Sequence, residues 1–420
     1  MDILIRGAGF DNKGAEAMLR TVQREVGRRI PNACFHILVS PLEVQFANIS
    51  GFSPTLRSSN LEGMLGLSPL VLGRRALAFL HNPDFRRAMM VSSGAAREIL
   101  MVKAVDAVID ISGYAYGDAW DVNYCKDAQA WVDYCKNHGK PYIFLPQAWG
   151  PFEKKDIAKW TRGLCEDASL LFARDQESFN HLSSLFDNPS EPDKIHMAPD
   201  IVFRFQGEHL NVGASILRDM GYEFGTKPLI GMVPNMHVYR RTQGVDSDNR
   251  YIQLLVETAN YCIDNLNAAV LLLPNVIKVP GKTDRDDRFL CGIIEPLIRK
   301  SKDCFTILDY HRSETIKSIL SHLDLLISSR FHSLVFALSA EIPVIALGWS
   351  HKYLELLTSF GLGEYACKHD QMDQTVVIDI LKHAWEKRKS DKHRIAEILP
   401  AIQRDVDVTF DLVTEVIKSS

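Results

Sequence analysis

Residues 2–9, DILIRGAG, together with Gly14 and the stretch 15–29 that follows, decide the fold. Residues 2–6 are short, apolar and uninterrupted, as a buried strand is. Gly7, Gly9 and Gly14 make a turn. Ala15, Met18, Leu19, Val22 and Val26 then recur at helical spacing, and Pro31 ends the helix. Residues 34–39, CFHILV, are a second strand. A strand, a glycine turn, a helix and a second strand open a βαβ unit, and such units build a parallel sheet.

Reading outward, strands are expected at 105–111 and 142–145, with a helix over 123–138 between them. A helix over 154–167, a strand at 170–173, a helix over 176–185 and a strand at 195–197 follow. After Phe203 a second series begins, with strands at 228–233, 269–273, 305–308, 324–327 and 342–347. Its helices are expected over 250–266, 285–300 and 331–340, and the tail 375–420 reads as helical. The fold class is therefore α/β, with two Rossmann-like parallel-sheet lobes. The boundaries read as 1–205 for the first lobe, 206–226 for a linker, 227–395 for the second lobe and 396–420 for a C-terminal helix. Ligands of such sheets bind beyond the carboxyl ends of the strands, which points to an active-site cleft between the lobes. Residues 42–103 show little strand character and read as inserted helices or loops.

Composition narrows the class. The 420 residues suit two domains at roughly 100–200 residues each. Hydrophobic residues make up 46% and charged residues 24%, ordinary for a globular protein. The net charge of −4 carries no nucleic-acid signature but leaves room for a locally basic anion site. The eight cysteines form no Cys-x-x-Cys pair, so neither a zinc ribbon nor a thioredoxin-like motif is supported. Their scattered, mostly apolar settings fit reduced buried thiols in a cytoplasmic protein. No apolar run reaches the ~20 residues of a membrane span, so the reading is a cytoplasmic protein, at most peripheral at the inner face of the membrane.

The glycine turn does not match a dinucleotide fingerprint. After Gly7 and Gly9 the third glycine comes five positions on, at Gly14, where three are needed. The second strand ends in Val39-Ser40-Pro41, without the acidic residue that would hold a ribose. A glycine-rich turn at a helix start still offers N–H groups to an anion or a sugar oxygen. Its plainer role is a tight strand-to-helix turn.

A series of segments then resembles the polysaccharide pyruvyl transferase family. They are Asn12-Lys13-Gly14-Ala15-Glu16-Ala17, Ile111-Ser112-Gly113 with Gly117-Asp118, and Pro146-Gln147-Ala148-Trp149-Gly150-Pro151. Arg174-Asp175-Gln176-Glu177-Ser178, Pro199-Asp200-Ile201-Val202-Phe203, Ser329-Arg330-Phe331-His332-Ser333 and Pro343-Val344-Ile345-Ala346-Leu347 with Lys352 complete it. The order and spacing over residues 3 to 360 carry the resemblance, not any one segment. Ala15 stands where many family members have Asp, and Gln147-Ala148 where Gln-Gly is usual. The glycine run after the third strand is here Gly113-Tyr114-Ala115-Tyr116-Gly117. The resemblance implies a GT-B-like fold, phosphoenolpyruvate as co-substrate, no cofactor and no metal. It implies as acceptor a saccharide with two suitably placed hydroxyls, from a bacterial-type surface polysaccharide or its precursor and often lipid-linked. The first lobe would be the acceptor side and the second the donor side.

The residue types suit that chemistry. Phosphoenolpyruvate carries a carboxylate and a phosphate and needs fixed cations. Arg330, Arg174 and Lys352 each follow the end of an expected strand, and a guanidinium grips such groups bidentately while lysine acts as a point charge. His332, two residues beyond Arg330 at a helix start, is the expected proton donor. By resemblance His332 and Arg330 are catalytic, and Arg330, Arg174 and Lys352 hold the donor. Asn12, Glu16, Asp118 and Trp149 are candidates for the acceptor. Each has a plainer reading: a cap for Asn12, a helix-dipole partner for Glu16, core packing for Trp149 and a solvated charge or ion pair for the basic residues. No carboxylates and histidines cluster at metal-ligand spacing.

Two rival functions remain open at this point. One is a glycosyltransferase of the same fold using a nucleotide sugar, with Asp309-Tyr310-His311 near the ribose. The other is a non-catalytic sugar-binding relative. Residues 57–103 also mix Arg74-Arg75 and Arg86-Arg87 with Leu72, Leu77, Phe79, Leu80 and Phe85, a pattern compatible with contact to an anionic lipid surface or with an ordinary helical insertion.

Overall fold

The structure is a computed structural model that describes residues 1–57, 98–99, 105–186, 194–278, 285–348, 350–368 and 372–420. The arginine pairs 74–75 and 86–87, and so the expected lipid-facing segment, lie outside the described residues, apart from Arg57, Glu98 and Ile99. Among the described residues no helix is long and apolar enough to cross a membrane.

The chain divides into two compact units. The first comprises Met1–Phe10, Met18–Ile201 and Val406–Ser420, the second Asp11–Ala17 and Val202–Asp405. In the first, β1 (Asp2–Arg6) leads through the glycine turn to α1 (Lys13–Arg29), then β2 (Cys34–Val39), α2 (Val44–Ile49) and β3 (Ser53–Leu56). β4 (Ala107–Asp110), α3 (Asn123–Asn137), β5 (Tyr142–Gln147), α4 (Lys155–Asp167), β6 (Leu170–Ala173), α5 (Gln176–Ser183) and β7 (Ile195–Met197) follow. Among the described residues these strands form one parallel sheet in the order β3-β2-β1-β4-β5-β6-β7. β3 corrects the expectation of no strand in 42–103. Its sequence, SPTL, contains a proline, which a strand tolerates at a sheet edge, where no neighbour needs its N–H.

The second unit begins with α6 (Leu210–Asp219). It continues with β8 (Leu229–Val233), α7 (Met236–Arg241), α8 (Arg250–Asn265), β9 (Ala269–Leu272), α9 (Arg288–Ile294), β10 (Cys304–Thr306) and α10 (Ser313–Leu320). β11 (Leu325–Ser328), α11 (Phe331–Leu338), β12 (Val344–Gly348), α12 (Lys352–Thr358), β13 (Ala366–Lys368) and α13 (Gln374–Ser419) complete it. The described sheet is parallel, in the order β10-β9-β8-β11-β12-β13. α6 lies in segment 206–226 and is tied to α10, with Gly213 N donating to Ser318 Oγ at 3.0 Å. Residues 396–420 continue the 46-residue helix α13.

The central strands β4, β5, β8, β11 and β12 are mostly apolar and buried along their whole length, as parallel sheets covered on both faces require. The cysteines form no disulfide, and all but Cys34 are buried. Burial pushes the Cys135 and Cys262 thiols up to about 12, which leaves them unreactive.

In both sheets the strand order reverses once. In the first the reversal falls between β1 and β4, which pair from Ile3↔Ala107 to Arg6↔Asp110. In the second it falls between β8 and β11, paired from Leu325↔Ile230 to Ser328↔Val233. Such a switch point opens a crevice at the carboxyl ends of the strands, where open α/β sheets bind ligands.

Candidate active site

At the second switch point, β8 runs out into Asn235 and α7, and β11 into Ser329, Arg330 and α11. Asn235 is the N-cap of α7 and locks the two exits together. Its Oδ1 accepts from His237 N at 2.8 Å and its Nδ2 donates to Ser329 O at 2.6 Å. Tyr251 donates to Ser329 Oγ at 2.7 Å and Tyr353 to Ser329 O at 2.8 Å. Arg330 N donates to Ser328 Oγ at 3.0 Å. The backbone beneath Arg330 is therefore held by side chains from four elements.

Arg330 is buried and paired with the fully buried Asp287. Burial raises the Asp287 pKa, and the Arg330 charge works against that rise. Asp287 also accepts from Val276 N at 2.8 Å and Met236 N at 3.2 Å, which joins the exits of β8 and β9 to Arg330. The guanidinium Nε is buried and has no hydrogen-bond partner among the described residues.

A basic group surrounds this arginine. Lys352, the first residue of α12, places Nζ 5.6 Å from the ring centroids of both Phe331 and Tyr353. His237 has its pKa lowered to about 4, first by burial and then by Arg330, Arg241, Lys352 and Arg240 in that order. It is neutral at pH 7, chiefly because it is buried, and the four cations act in the same direction. His237, Arg240 and Arg241 were not singled out from the sequence, because nothing in the string MHVYRR says that α7 faces the same crevice as Ser329–His332. A hollow of about 1160 Å³ runs along α8 past Arg250 and Gln253 and meets this group, among the described residues, at Arg241.

His332 lies in the first turn of α11, and its ring packs against Gly14. A Cβ on Gly14 would stand 2.2 Å from the ring Cγ and Nδ1, so that position admits only glycine without moving the histidine. Gly14 is brought there because Asp11–Ala17 belongs to the second unit. Lys13 N donates to Asn275 O at 3.0 Å and Ile277 N to Asp11 O at 2.8 Å. Lys278 closes an ion pair with Asp11 at 2.7 Å.

Asn12 and Glu16 sit in this insertion, both engaged. Asn12 Oδ1 accepts from Gly14 N at 3.0 Å and from Asn275 Nδ2 at 3.2 Å. The Glu16 carboxylate is buried, with Lys13 Nζ at 2.9 Å and Ser313 Oγ at 2.8 Å. Burial lowers the Lys13 pKa, against the pull of Glu16, and its Nζ lies 3.8 Å from the Tyr310 ring centroid. These contacts are those of a buried structural tie.

Arg174, Asp118 and Trp149 belong to the first unit. Arg174 Nη1 is 2.9 Å from the buried Asp200. Asp118 accepts from the backbone N–H groups of Glu153 and Lys154, at 2.6 and 3.2 Å. Trp149 is fully buried, stacked on Tyr116 at 5.3 Å, with Nε1 donating to Phe172 O at 3.0 Å. That corrects its candidacy as a sugar platform: the ring has no face left for a ligand.

The first switch point carries a network that the sequence did not disclose. Arg6, at the end of β1, donates from Nη1 to Tyr142 Oη at 2.7 Å and pairs with Asp127. Tyr116 and Tyr142 donate to Asp110 Oδ2 at 2.9 and 2.8 Å. Burial works against the Arg6 charge, but Tyr142, Asp127 and Asp110 hold its pKa above the ordinary arginine value. Burial raises both tyrosine pKa values well above 10, so they remain donors. Among the described residues no group of three His, Cys, Asp or Glu side chains is placed to hold a metal ion.

Two parallel sheets with one reversal each, and strand exits armed with fixed charges, define a pair of Rossmann-like units of the GT-B type. The same architecture is found in UDP-GlcNAc 2-epimerase from Neisseria meningitidis, bound to UDP-GlcNAc, with 11% identity, a TM-score of 0.59 and 100% of both chains covered. It is found again in Anabaena Alr3699/HepE in complex with UDP-glucose, with 14% identity, a TM-score of 0.56 and 100% of both chains covered. A UDP-GlcNAc 2-epimerase from Methanocaldococcus jannaschii, with 11% identity and a TM-score of 0.57, covers 96% of this chain and 100% of its own. At these identities the likeness is one of fold. Among curated protein sequences none matches. The family model for polysaccharide pyruvyl transferase matches residues 12–351, and the chain belongs to that family.

Proposed function

We propose that the protein transfers the pyruvyl group of phosphoenolpyruvate to two hydroxyls of a saccharide, forming a ketal and releasing phosphate. What supports this reading above all is the basic group at the second switch point. Arg330 and Lys352 stand at neighbouring strand exits beside Phe331, and with Arg240 and Arg241 they add to the burial that keeps His237 neutral, a gathering of cations suited to a multiply charged anion. His332 stands two residues from Arg330 on the same turn.

In this reading His332 protonates C3 of the enol, turning the methylene into a methyl and making C2 electrophilic. A sugar hydroxyl adds to C2 and gives up its proton. The bond from C2 to the phosphate oxygen then breaks, with Arg330 and Lys352 stabilising the departing charge. A second hydroxyl of the same sugar closes the ketal and loses its proton. One of the two hydroxyl protons restores His332 and the other leaves with phosphate or solvent. Arg174 is proposed as a further donor contact, tested alongside Arg330 and Lys352.

The test is incubation with phosphoenolpyruvate and a panel of lipid-linked and nucleotide-linked sugars, reading phosphate release and product mass. His332→Ala should bind phosphoenolpyruvate and lose transfer by about 10²-fold or more. Turnover near wild type in that variant, or sugar transfer from a nucleotide sugar without phosphoenolpyruvate, would overturn the proposal.

A further inference from the structure

The first switch point holds a separate cavity of about 270 Å³, lined among the described residues by side chains of the first unit. It opens at the ends of β1 and β4, between Gly7 and Ser112. Gly7 has φ +88°, and a Cβ there would stand 2.2 Å from Ser112 Oγ, so the strand exit is fixed by glycine. One wall is aromatic. Trp120 packs edge-on against Tyr114 at 6.1 Å and against Tyr124 at 6.0 Å, and all three rings line the cavity. The Trp120 indole N–H is buried without a hydrogen-bond partner among the described residues.

The polar lining is balanced in charge. Arg6 is matched by Asp127, and Glu98 stands in the lining with Arg57. Arg57 is anchored by donation to Leu38 O at 2.9 Å and Ala8 O at 2.7 Å. Among the described residues Asp110 also lies 3.6 Å from Arg6, so the two cations are fully matched and leave no excess of positive charge to draw a phosphate. They do give fixed donors and acceptors beside aromatic faces, in a space just below the ~300 Å³ at which ligand pockets begin. A neutral, polyhydroxylated ring is the ligand such a wall recognises, with C–H faces against the aromatics and hydroxyls on the charged groups.

We infer that this cavity binds one neutral sugar ring of the saccharide acceptor, with Trp120 and Tyr124 as the stacking wall and Arg6, Arg57 and Asp127 as hydroxyl partners. The inference deepens the transfer reading and rests on it for the word acceptor, while the binding itself can be measured without the donor.

The experiment is saturation-transfer NMR of the full chain with the methyl glycosides of glucose, galactose, mannose and N-acetylglucosamine, in the absence of phosphoenolpyruvate. At least one glycoside should bind. Trp120→Ala should weaken it about tenfold or more, as should Tyr124→Ala, a change at a 52% exposed residue that leaves the core untouched. Phosphoenolpyruvate affinity, by calorimetry, should be the same in wild type and both variants. Binding of none of the four glycosides to wild type, equal glycoside binding in Tyr124→Ala, or saturation by inorganic phosphate instead would overturn the inference. Failure of wild type to bind phosphoenolpyruvate, with glycoside binding intact, would instead sink the transfer reading and leave the saccharide cavity standing.

Discussion

The two switch points are built on one topology and filled in opposite ways. Between β8 and β11 the strand exits deliver Arg330, with Lys352, Arg240 and Arg241 close enough to act on the same buried His237. Between β1 and β4 they deliver Arg6, neutralised by Asp127 and Asp110, together with Tyr114, Trp120 and Tyr124. A parallel sheet that reverses its order makes a crevice wherever it does so, but the crevice has no chemistry of its own. The side chains at the strand ends decide whether it attracts a dianion or a neutral ring. The buried carboxylates show the contrast most clearly. Asp287 serves one arginine and two backbone exits, while Asp110 is chiefly the acceptor for two tyrosine hydroxyls.

Removing those two carboxylates should produce the largest effect and separate the sites. Asp287→Ala leaves Arg330 buried without its partner and should cost about 3–5 kcal/mol in urea unfolding. Asp110→Ala strands two tyrosine hydroxyls while Arg6 keeps Asp127, and should cost less, about 1–3 kcal/mol. Equal losses would mean that the two carboxylates do the same work.

Gly14→Ala tests the positioning of His332. A methyl at that point must push the ring aside, and a displacement of about 1 Å at a reacting group can cost about 10²-fold in kcat. Phosphoenolpyruvate affinity should be little changed. Wild-type kcat in this variant would mean that His332 is not the proton donor or that its position is not critical.

Arg330→Lys sharpens the electrostatic half of the comparison. Charge is conserved but the bidentate fork is lost, so donor affinity by calorimetry should fall about tenfold. The same change at Arg6 should leave it unaltered. A fall at Arg6 equal to that at Arg330 would erase the distinction between the two crevices.

The smallest effect concerns pH. The folded His237 pKa, about 4, lies below its ordinary value of 6.5. Between those values the unfolded chain takes up a proton that the folded protein refuses, so stability falls as pH drops from 6.5 toward 4 and is unaffected above 6.5. His237→Asn should make the stability-versus-pH curve shallower in that window. An unchanged slope would mean that neither burial nor the cations around it hold His237 neutral in the folded protein.

The strands other than the edge strands β3 and β13, most helices and the double βαβ order were legible in the sequence. Apolar runs of four to six residues and helical spacing are local signals, and glycine and proline punctuate them. The sequence also singled out Arg330, His332 and Lys352, because each follows the end of a readable strand. It could not see that Asp11–Ala17 packs with the second unit, since that depends on hydrogen bonds from Lys13 to Asn275 and from Ile277 to Asp11, more than 260 positions apart. Nor could it turn Trp149 inward, bury Glu16 against Ser313, or gather His237, Arg240 and Arg241 around Arg330. Periodicity is a property of neighbours along the chain and fixes the elements. The sign of the field at a strand end depends on which distant side chains the packing places there, and only the tertiary structure decides that.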